Sequence, residues 1–156
     1  MAQEKELQEK AARYFQERPP NFPDGRPYNC CESVLLVLSE YLGIESSLIP
    51  RVVTGVGAGF SLNGLTCGCI SGAAMAIGIR YGRERNEESP QVAWKKVGQF
   101  IESFKDRWGA TACRGLTGLD LKTPEGLEQY YKSVHDYSCT DRIRFSVGKA
   151  IELLKD

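Results

Sequence analysis

Residues 67–82, CGCISGAAMAIGIRYG, form a run of small and apolar residues that predicts a helix with very little side-chain bulk. The helix is expected over residues 67–80, with Gly82 beyond its end. Each glycine in a helix interior costs up to about 1 kcal/mol relative to alanine. We therefore expect a compensating contact, in which another helix or a buried group approaches this backbone closely.

Helical periodicity continues on both sides of this segment, and no sustained strand alternation interrupts it. A glycine-rich loop with Gly55, Gly57, Gly59 and Gly64 precedes the small-residue helix. The other helices are predicted over residues 4–18, 30–42, 50–54, 90–108, 124–134 and 140–154, and Cys113 could begin a further short one. A chain of 156 residues is typical of one domain. The sequence thus predicts a single all-α domain over residues 1–156, a bundle of five to seven helices, with an N-terminal amphipathic helix in residues 1–18.

Charge and hydropathy exclude several classes of function. Twenty Lys and Arg residues balance twenty Asp and Glu residues, so net charge offers no attraction for nucleic acid or an anionic membrane. Residues 52–79 carry no charge, but polar residues and seven glycines interrupt them, and we expect no membrane span. The polar N-terminal residues do not resemble a secretory signal, which predicts a cytoplasmic protein.

The six cysteines are the residues most suited to chemistry. In a reducing cytosol, thiols more often bind metal or undergo redox reactions than form permanent disulfides. Several lie at predicted helix starts, where backbone N–H groups and the helix dipole lower the pKa of a thiol. We therefore expect thiolates to converge at one point. The cysteines are Cys30, Cys31, Cys67, Cys69, Cys113 and Cys139.

Cysteine spacing alone leaves three interpretations open. The thiols could be small buried hydrophobes, four ligands of a metal or iron–sulfur site, or a dithiol–disulfide pair. No Cys-x-x-Cys motif is present, so the usual signatures of thioredoxin-like proteins and zinc ribbons are missing. Cys67 and Cys69 could chelate one metal, whereas the adjacent Cys30 and Cys31 can hardly do so.

Two motifs and two further cysteines resemble a known family. YNCCESV at residues 28–34, GLTCGCISG at residues 64–72, Cys113-Arg114 and the late Cys139 are similar to the C-GCAxxG-C-C family of redox-active proteins. The resemblance extends over residues 28–154. It implies four hallmark cysteines at Cys30, Cys67, Cys113 and Cys139, with Cys69 as the alternative match to Cys67. It also implies that Cys31 and Cys69 are extra thiols, since relatives usually carry alanine at these positions.

The resemblance implies a bacterial or archaeal redox protein. Similar domains occur in split-Soret cytochromes, where an iron–sulfur cluster accompanies haem, but this chain has no Cys-x-x-Cys-His motif for haem attachment. The expected cofactor is therefore an iron–sulfur cluster of the [2Fe–2S] type, held by the four hallmark cysteines, for electron transfer to a redox partner protein. A metal-free thiol–disulfide oxidoreductase and a zinc-stabilised structural domain are the alternatives.

Other candidate sites are weaker. The glycines at 55, 57 and 59 lack the spacing and the preceding strand of a nucleotide-binding loop. His135 is the only histidine, which disfavours a hydrolase triad, and we expect a partly exposed residue at a helix end. The amphipathic first helix, joined to the rest by a turn-rich connector, is compatible with a homodimer.

Overall fold

The computed structural model describes residues 1–155, and their regular structure is helical. The α-helices are α1 (Ala2–Gln16), α2 (Cys30–Tyr41), α3 (Gly57–Ser61), α4 (Gly68–Tyr81), α5 (Gln91–Trp108), α6 (Cys113–Thr117), α7 (Pro124–Ser133) and α8 (Thr140–Leu154). A 3₁₀ turn spans Arg51–Val53, and a π-helical turn spans His135–Cys139. The all-α prediction is confirmed. Two of the eight helices, α3 and α6, have only five residues each.

The hydrophobic core lies between α1, α2, α4, α5 and α8. Helix α2 contributes Val34, Leu35 and Leu38, which are almost completely buried. The apolar stripe of α1, with Leu7 and Phe15, is also buried within the chain, and the homodimer stays a prediction. Among the helices of residues 1–155, none combines the length and the apolar character needed to cross a membrane.

The small-residue helix α4 packs closely against α2. A Cβ atom added to Gly72 would lie 2.9 Å from the carbonyl oxygen of Cys31 and 3.1 Å from Cβ of Val34. A Cβ atom added to Gly68 would collide with the sulfur of Cys30. The predicted compensation is therefore confirmed at Gly68 and Gly72, which leave no room for a side chain, but not at Gly78, where an added Cβ would have nothing within 4 Å.

Hydrogen bonds at the start of α2 fix the helix and hold the preceding loop. Asn29 Oδ1 accepts from the N–H of Glu32 at 2.9 Å, and the Glu32 carboxylate accepts from the N–H of Asn29 at 2.8 Å. This reciprocal pair is a capping box. The hydroxyl of Thr54 donates to the same carboxylate at 2.7 Å, which joins the 3₁₀ turn to α2.

The glycine-rich loop adopts a left-handed turn that the sequence pattern does not predict. Positive φ angles occur at Ala58, Gly59, Phe60, Ser61 and Leu62, with values between 52° and 73°. Such a conformation costs a non-glycine residue roughly 1–2 kcal/mol. Internal hydrogen bonds offset part of this cost, including those from the N–H of Leu62 to Ala58 O at 2.9 Å and from Leu65 to Gly59 O at 3.0 Å.

Candidate thiol site

Five of the six cysteines line one small cavity. The void measures about 20 Å³, which is room for about one water molecule. Its thiols are those of Cys30, Cys67, Cys69, Cys113 and Cys139. Cys31 does not line it and lies fully buried in the hydrophobic core instead. Of the two extra cysteines, one therefore joins the site and the other packs as a small apolar residue.

The four hallmark cysteines come from the starts of four different helices. Cys30 is the first residue of α2, and Cys67 directly precedes α4. Cys113 is the first residue of α6, and Cys139 directly precedes α8. Residues separated by more than 100 positions along the chain thus meet because these helices begin on one side of the bundle.

A short antiparallel bridge fixes two of these segments to each other. The N–H of Cys67 donates to Thr111 O at 2.8 Å, and the N–H of Cys113 donates to Leu65 O at 2.6 Å. Gly59, from the left-handed turn, packs against Cys113 so tightly that an added Cβ would lie 2.5 Å from the cysteine Cβ. The strained loop therefore forms part of the wall that holds Cys113.

Arg142 is the one cationic side chain that lines the cavity. It is only 6% exposed, and its Nη1 atom lies 3.5 Å from the sulfur of Cys139. Nη2 donates to Leu116 O at 3.1 Å, while Nε has no hydrogen-bond partner. The guanidinium carbon lies 5.3 Å from the Trp108 ring. In the part of the chain that the structure describes, no carboxylate forms an ion pair with Arg142, and the acidic group that it contacts is the Cys139 thiol.

Cys67 is the thiol that the site favours as thiolate. The pKa of Cys67 is lowered, first by a hydrogen bond from the Cys69 thiol and further by the backbone N–H groups of Cys69 and Ile70 and by the charge of Arg142. Burial of the sulfur acts in the opposite direction. The same hydrogen bond raises the pKa of Cys69 well above its usual value, because Cys69 must keep its proton to donate it.

Burial keeps the remaining thiols protonated. Burial is the main reason why the pKa of Cys30 and of Cys139 is raised. It also raises the pKa of Cys113 to about 12. The prediction that helix starts lower the thiol pKa is therefore correct for Cys67 and wrong for Cys30 and Cys139, where desolvation outweighs the backbone dipoles. Without a metal, the site holds one favoured thiolate among four thiols.

Thiols are the main metal-ligating side chains in the walls of the cavity, beside the phenol of Tyr130, and a thiolate donor set suits an iron–sulfur cluster or zinc. Across residues 1–155, no three His, Cys, Asp or Glu side chains are spaced to hold a single metal ion. This spacing gives no support to a ready-made mononuclear zinc site. Because the void admits about one water molecule, binding of a cluster would require the thiol side chains to move apart.

A comparison with protein families matches the part of the chain that carries the thiol site. Residues 28–153 match a family model described as "Putative redox-active protein (C_GCAxxG_C_C)". The chain belongs to this redox-active family. The matched range contains all six cysteines and every residue that lines the thiol cavity. No curated protein and no solved structure matches the chain.

Sequence reasoning missed two side chains of the site. Arg142 follows Cys139 by three residues, so helical spacing places both on one face of α8, and this signal was available. Tyr130 has the helical spacing of a core residue of α7, yet it lines the thiol cavity, and its pKa is raised by burial and then by the nearby Cys139. His135, expected to be partly exposed, is only 9% exposed and lies outside the thiol cavity.

Proposed function

We propose that this member of the C_GCAxxG_C_C family is an electron-transfer module that binds an iron–sulfur cluster of the [2Fe–2S] type. The ligands in this proposal are the thiolates of Cys30, Cys67, Cys113 and Cys139. The protein would work in the reducing cytoplasm of a bacterium or archaeon and exchange electrons with a redox partner. When bound, the cluster supplies one-electron chemistry.

The burial of Arg142 is the observation that carries this proposal. An unpaired guanidinium in a protein interior carries a desolvation cost of several kcal/mol, which a nearby negative charge offsets. The only groups around the cavity that can supply such charge are thiolates. Four thiolate ligands on a cluster provide more negative charge than ionisation of Cys67 alone could supply.

The other walls suit the same role. The N–H of Ala58 and the sulfur of Cys30 form a hydrogen bond, and the N–H groups of Cys69 and Ile70 act on Cys67. Hydrogen bonds to ligand sulfurs raise the reduction potential of a cluster, as does a nearby positive charge such as Arg142. Leu116 and Tyr130 complete the walls and limit access of water to the sulfurs.

A metal-free thiol–disulfide oxidoreductase is the second candidate, because the lowered pKa of Cys67 is also the property of an attacking thiolate. In that reaction the Cys67 thiolate attacks a substrate disulfide, forms a mixed disulfide and releases one substrate thiolate. A neighbouring thiol of the cavity, Cys69 for example, then loses its proton and displaces the second substrate thiolate. The substrate is reduced by two electrons, and the protein keeps a disulfide.

Metal analysis of anaerobically purified protein separates the two candidates. We would measure the visible spectrum with iron, sulfide and zinc contents for the wild type, for Cys67→Ser and for Cys31→Ala. Cys31→Ala is the matched control, since it removes a buried thiol outside the cavity. Iron and sulfide that are lost in Cys67→Ser and kept in Cys31→Ala would support the cluster.

Colourless, iron-free protein after reconstitution with iron and sulfide would overturn the cluster proposal. A reversible two-electron thiol titration of that protein, lost in Cys67→Ser, would then favour the oxidoreductase. Stoichiometric zinc without redox activity of the thiols would instead indicate a structural metal.

A further inference from the structure

A second cavity lies directly beside the thiols. It measures about 250 Å³ and is lined by side chains from α1, α7, the π-helical turn and the connector before α2. An adjoining hollow of about 450 Å³ shares Arg26, Pro27, Leu127, Tyr131 and His135 with it. We call the two together the aromatic cleft. The larger hollow alone is within the range of small-molecule sites, which is about 300–1,000 Å³.

The inner end of the aromatic cleft shares walls with the thiol cavity. Cys30, Ala58 and Tyr130 line both spaces. The phenol of Tyr130 forms a hydrogen bond with Cys139, so this ring connects the cleft to the sulfurs. A molecule bound at the inner end would therefore lie one side chain away from the thiol site.

Aromatic rings form the middle of the cleft. His135 stacks on Phe15 with 3.9 Å between ring centroids and is held at Nδ1 by Asp136 Oδ1 at 2.7 Å. The Tyr131 ring lies 5.2 Å from both Tyr130 and His135 and is 60% exposed. An exposed tyrosine beside fixed rings offers a flat apolar surface that favours stacking with another ring.

Positive charge lies at the outer end. Arg18 and Arg26 line the larger hollow, and neither forms an ion pair or a side-chain hydrogen bond within residues 1–155. The one carboxylate in the lining belongs to Asp136, which is already held by His135. The charge that remains at this end of the cleft favours an anionic ligand group.

We propose that the aromatic cleft binds a planar aromatic compound that carries an anionic group such as a phosphate. The ring system would lie against Tyr131 toward Tyr130 and Cys30, and the anion would contact Arg18 and Arg26. The binding site itself does not depend on a metal. The ligand would also carry electrons to or from the thiol site, and this second part of the proposal rests on the proposed redox function.

Flavin mononucleotide and riboflavin are suitable probes, because they share one ring system and differ by a phosphate. We would titrate each with the reduced wild-type protein and follow flavin fluorescence and its anisotropy. We expect saturable binding of flavin mononucleotide and about fivefold weaker binding of riboflavin. Arg26→Gln should remove most of this difference in affinity. Tyr131→Ala should weaken the binding of both flavins by about fivefold.

Two exposed residues outside the cleft provide matched controls. Arg85→Gln removes a surface arginine and Trp94→Ala a 65% exposed ring, and both should bind the flavins as the wild type does. Absence of saturable binding up to about 1 mM would overturn the proposal. So would equal binding of both flavins that is insensitive to Arg26→Gln and Tyr131→Ala.

Cys67→Ser separates this proposal from the proposed redox function. The variant removes the favoured thiolate but leaves every residue of the cleft in place. Flavin binding that persists in Cys67→Ser supports the cleft even where the iron analysis fails. Loss of binding in this variant alone, with a normally folded chain, would count against a separate cleft.

Discussion

Nη1 of Arg142 lies 3.5 Å from the sulfur of Cys139, with the arginine one turn further along the last helix of the bundle. Trp108 covers the guanidinium, and the carbonyl of Leu116 accepts from its Nη2 atom. Because no carboxylate of residues 1–155 pairs with this buried cation, its charge acts on the thiols. Arg142 therefore contributes to the protonation state of the site, beside the Cys69 thiol and the backbone N–H groups that also lower the pKa of Cys67.

Removal of this charge should shift the reactivity of Cys67. In the metal-free, reduced protein we expect Arg142→Gln to raise the pKa of Cys67, since Arg142 helps to lower it. Alkylation with iodoacetamide between about pH 6 and pH 10, followed by peptide mass spectrometry, would show the rate profile of Cys67 moved to higher pH. Arg114→Gln is the matched control, because the side chain of Arg114 is 63% exposed. An unchanged profile in Arg142→Gln would contradict the assigned role.

The buried thiols should also make the protein less stable in alkali. The pKa of Cys31 and of Cys113 is about 12 in the folded chain, compared with an ordinary value of 9.0. Between these values the unfolded chain loses the thiol proton and the folded chain keeps it. Since the folded state then binds more protons, each such thiol lowers the free energy of unfolding by about 1.4 kcal/mol per pH unit above pH 9.

The pH dependence can be measured by urea unfolding under reducing conditions at several pH values from about 8 to 10.5. Cys31→Ala should flatten the decline by up to about 1.4 kcal/mol per pH unit, because it removes one of these protons. Cys67 acts in the opposite sense: its lowered pKa adds stability above pH 9 that is lost as the pH falls through its folded value. Identical slopes for the wild type and Cys31→Ala would disprove the assignment.

Alanine substitutions at two glycines, one in the left-handed turn and one in α5 as a control, test how tightly the turn packs. Gly59 has a φ of 59°, and an added Cβ would lie 2.5 Å from Cβ of Cys113. We expect Gly59→Ala to lower the free energy of unfolding by about 2 kcal/mol or more, from overpacking and from the left-handed backbone. Gly98, in the interior of α5, has nothing within 4 Å of its added Cβ.

Gly98→Ala should instead stabilise the protein by about 0.5–1 kcal/mol, as alanine does in a helix interior. Thermal and urea unfolding of the two variants would give both values. If Gly59→Ala were as stable as the wild type, the left-handed turn would not pack on Cys113 as described.

Most of the fold could be predicted from the sequence because its signals are local. Asn29 and Glu32 form the capping box that starts α2, and Thr123 accepts from the N–H of Gly126 at the start of α7. The predicted helix over residues 140–154 agrees with α8. These boundaries depend on side chains within four residues of the helix end, which a sequence shows directly.

The left-handed turn and the distribution of thiol pKa values could not be predicted in the same way. The turn fits because Gly57 and Gly59 pack against Asn29 and Cys113 from distant parts of the chain, whereas a run containing three glycines indicates only a break. Burial of Cys30 results from the packing of α4 and α7, so its desolvation is invisible from the helix start alone. Cys69 and Cys31 have similar sequence contexts, and only the tertiary structure separates them.

The carboxylate of Glu32 should control the position of Cys30 as well as the stability of α2. It accepts from the N–H of Asn29 and from the hydroxyl of Thr54, and the side-chain amide of Asn29 donates to Thr54 O at 2.9 Å. These bonds, which we call the Glu32 clamp, connect the helix start that carries Cys30 to the segment that leads into the left-handed turn. We expect Glu32→Ala to lower the free energy of unfolding by about 1–3 kcal/mol, since it removes the capping box of α2 and both hydrogen bonds of a buried carboxylate to part-buried donors.

Thr54→Val removes one of these bonds and should cost about 1 kcal/mol. In a double-mutant cycle the two changes should be non-additive by about 0.5 kcal/mol or more, because both act on the same hydrogen bond. Glu40→Ala, at the exposed end of α2, is the matched control and should change stability by less than about 1 kcal/mol. Additive effects of Glu32→Ala and Thr54→Val would show that the clamp does not act as a unit. If the clamp does hold Cys30 at the cavity, Glu32→Ala should also lower the iron content of reconstituted protein, whereas Glu40→Ala should not.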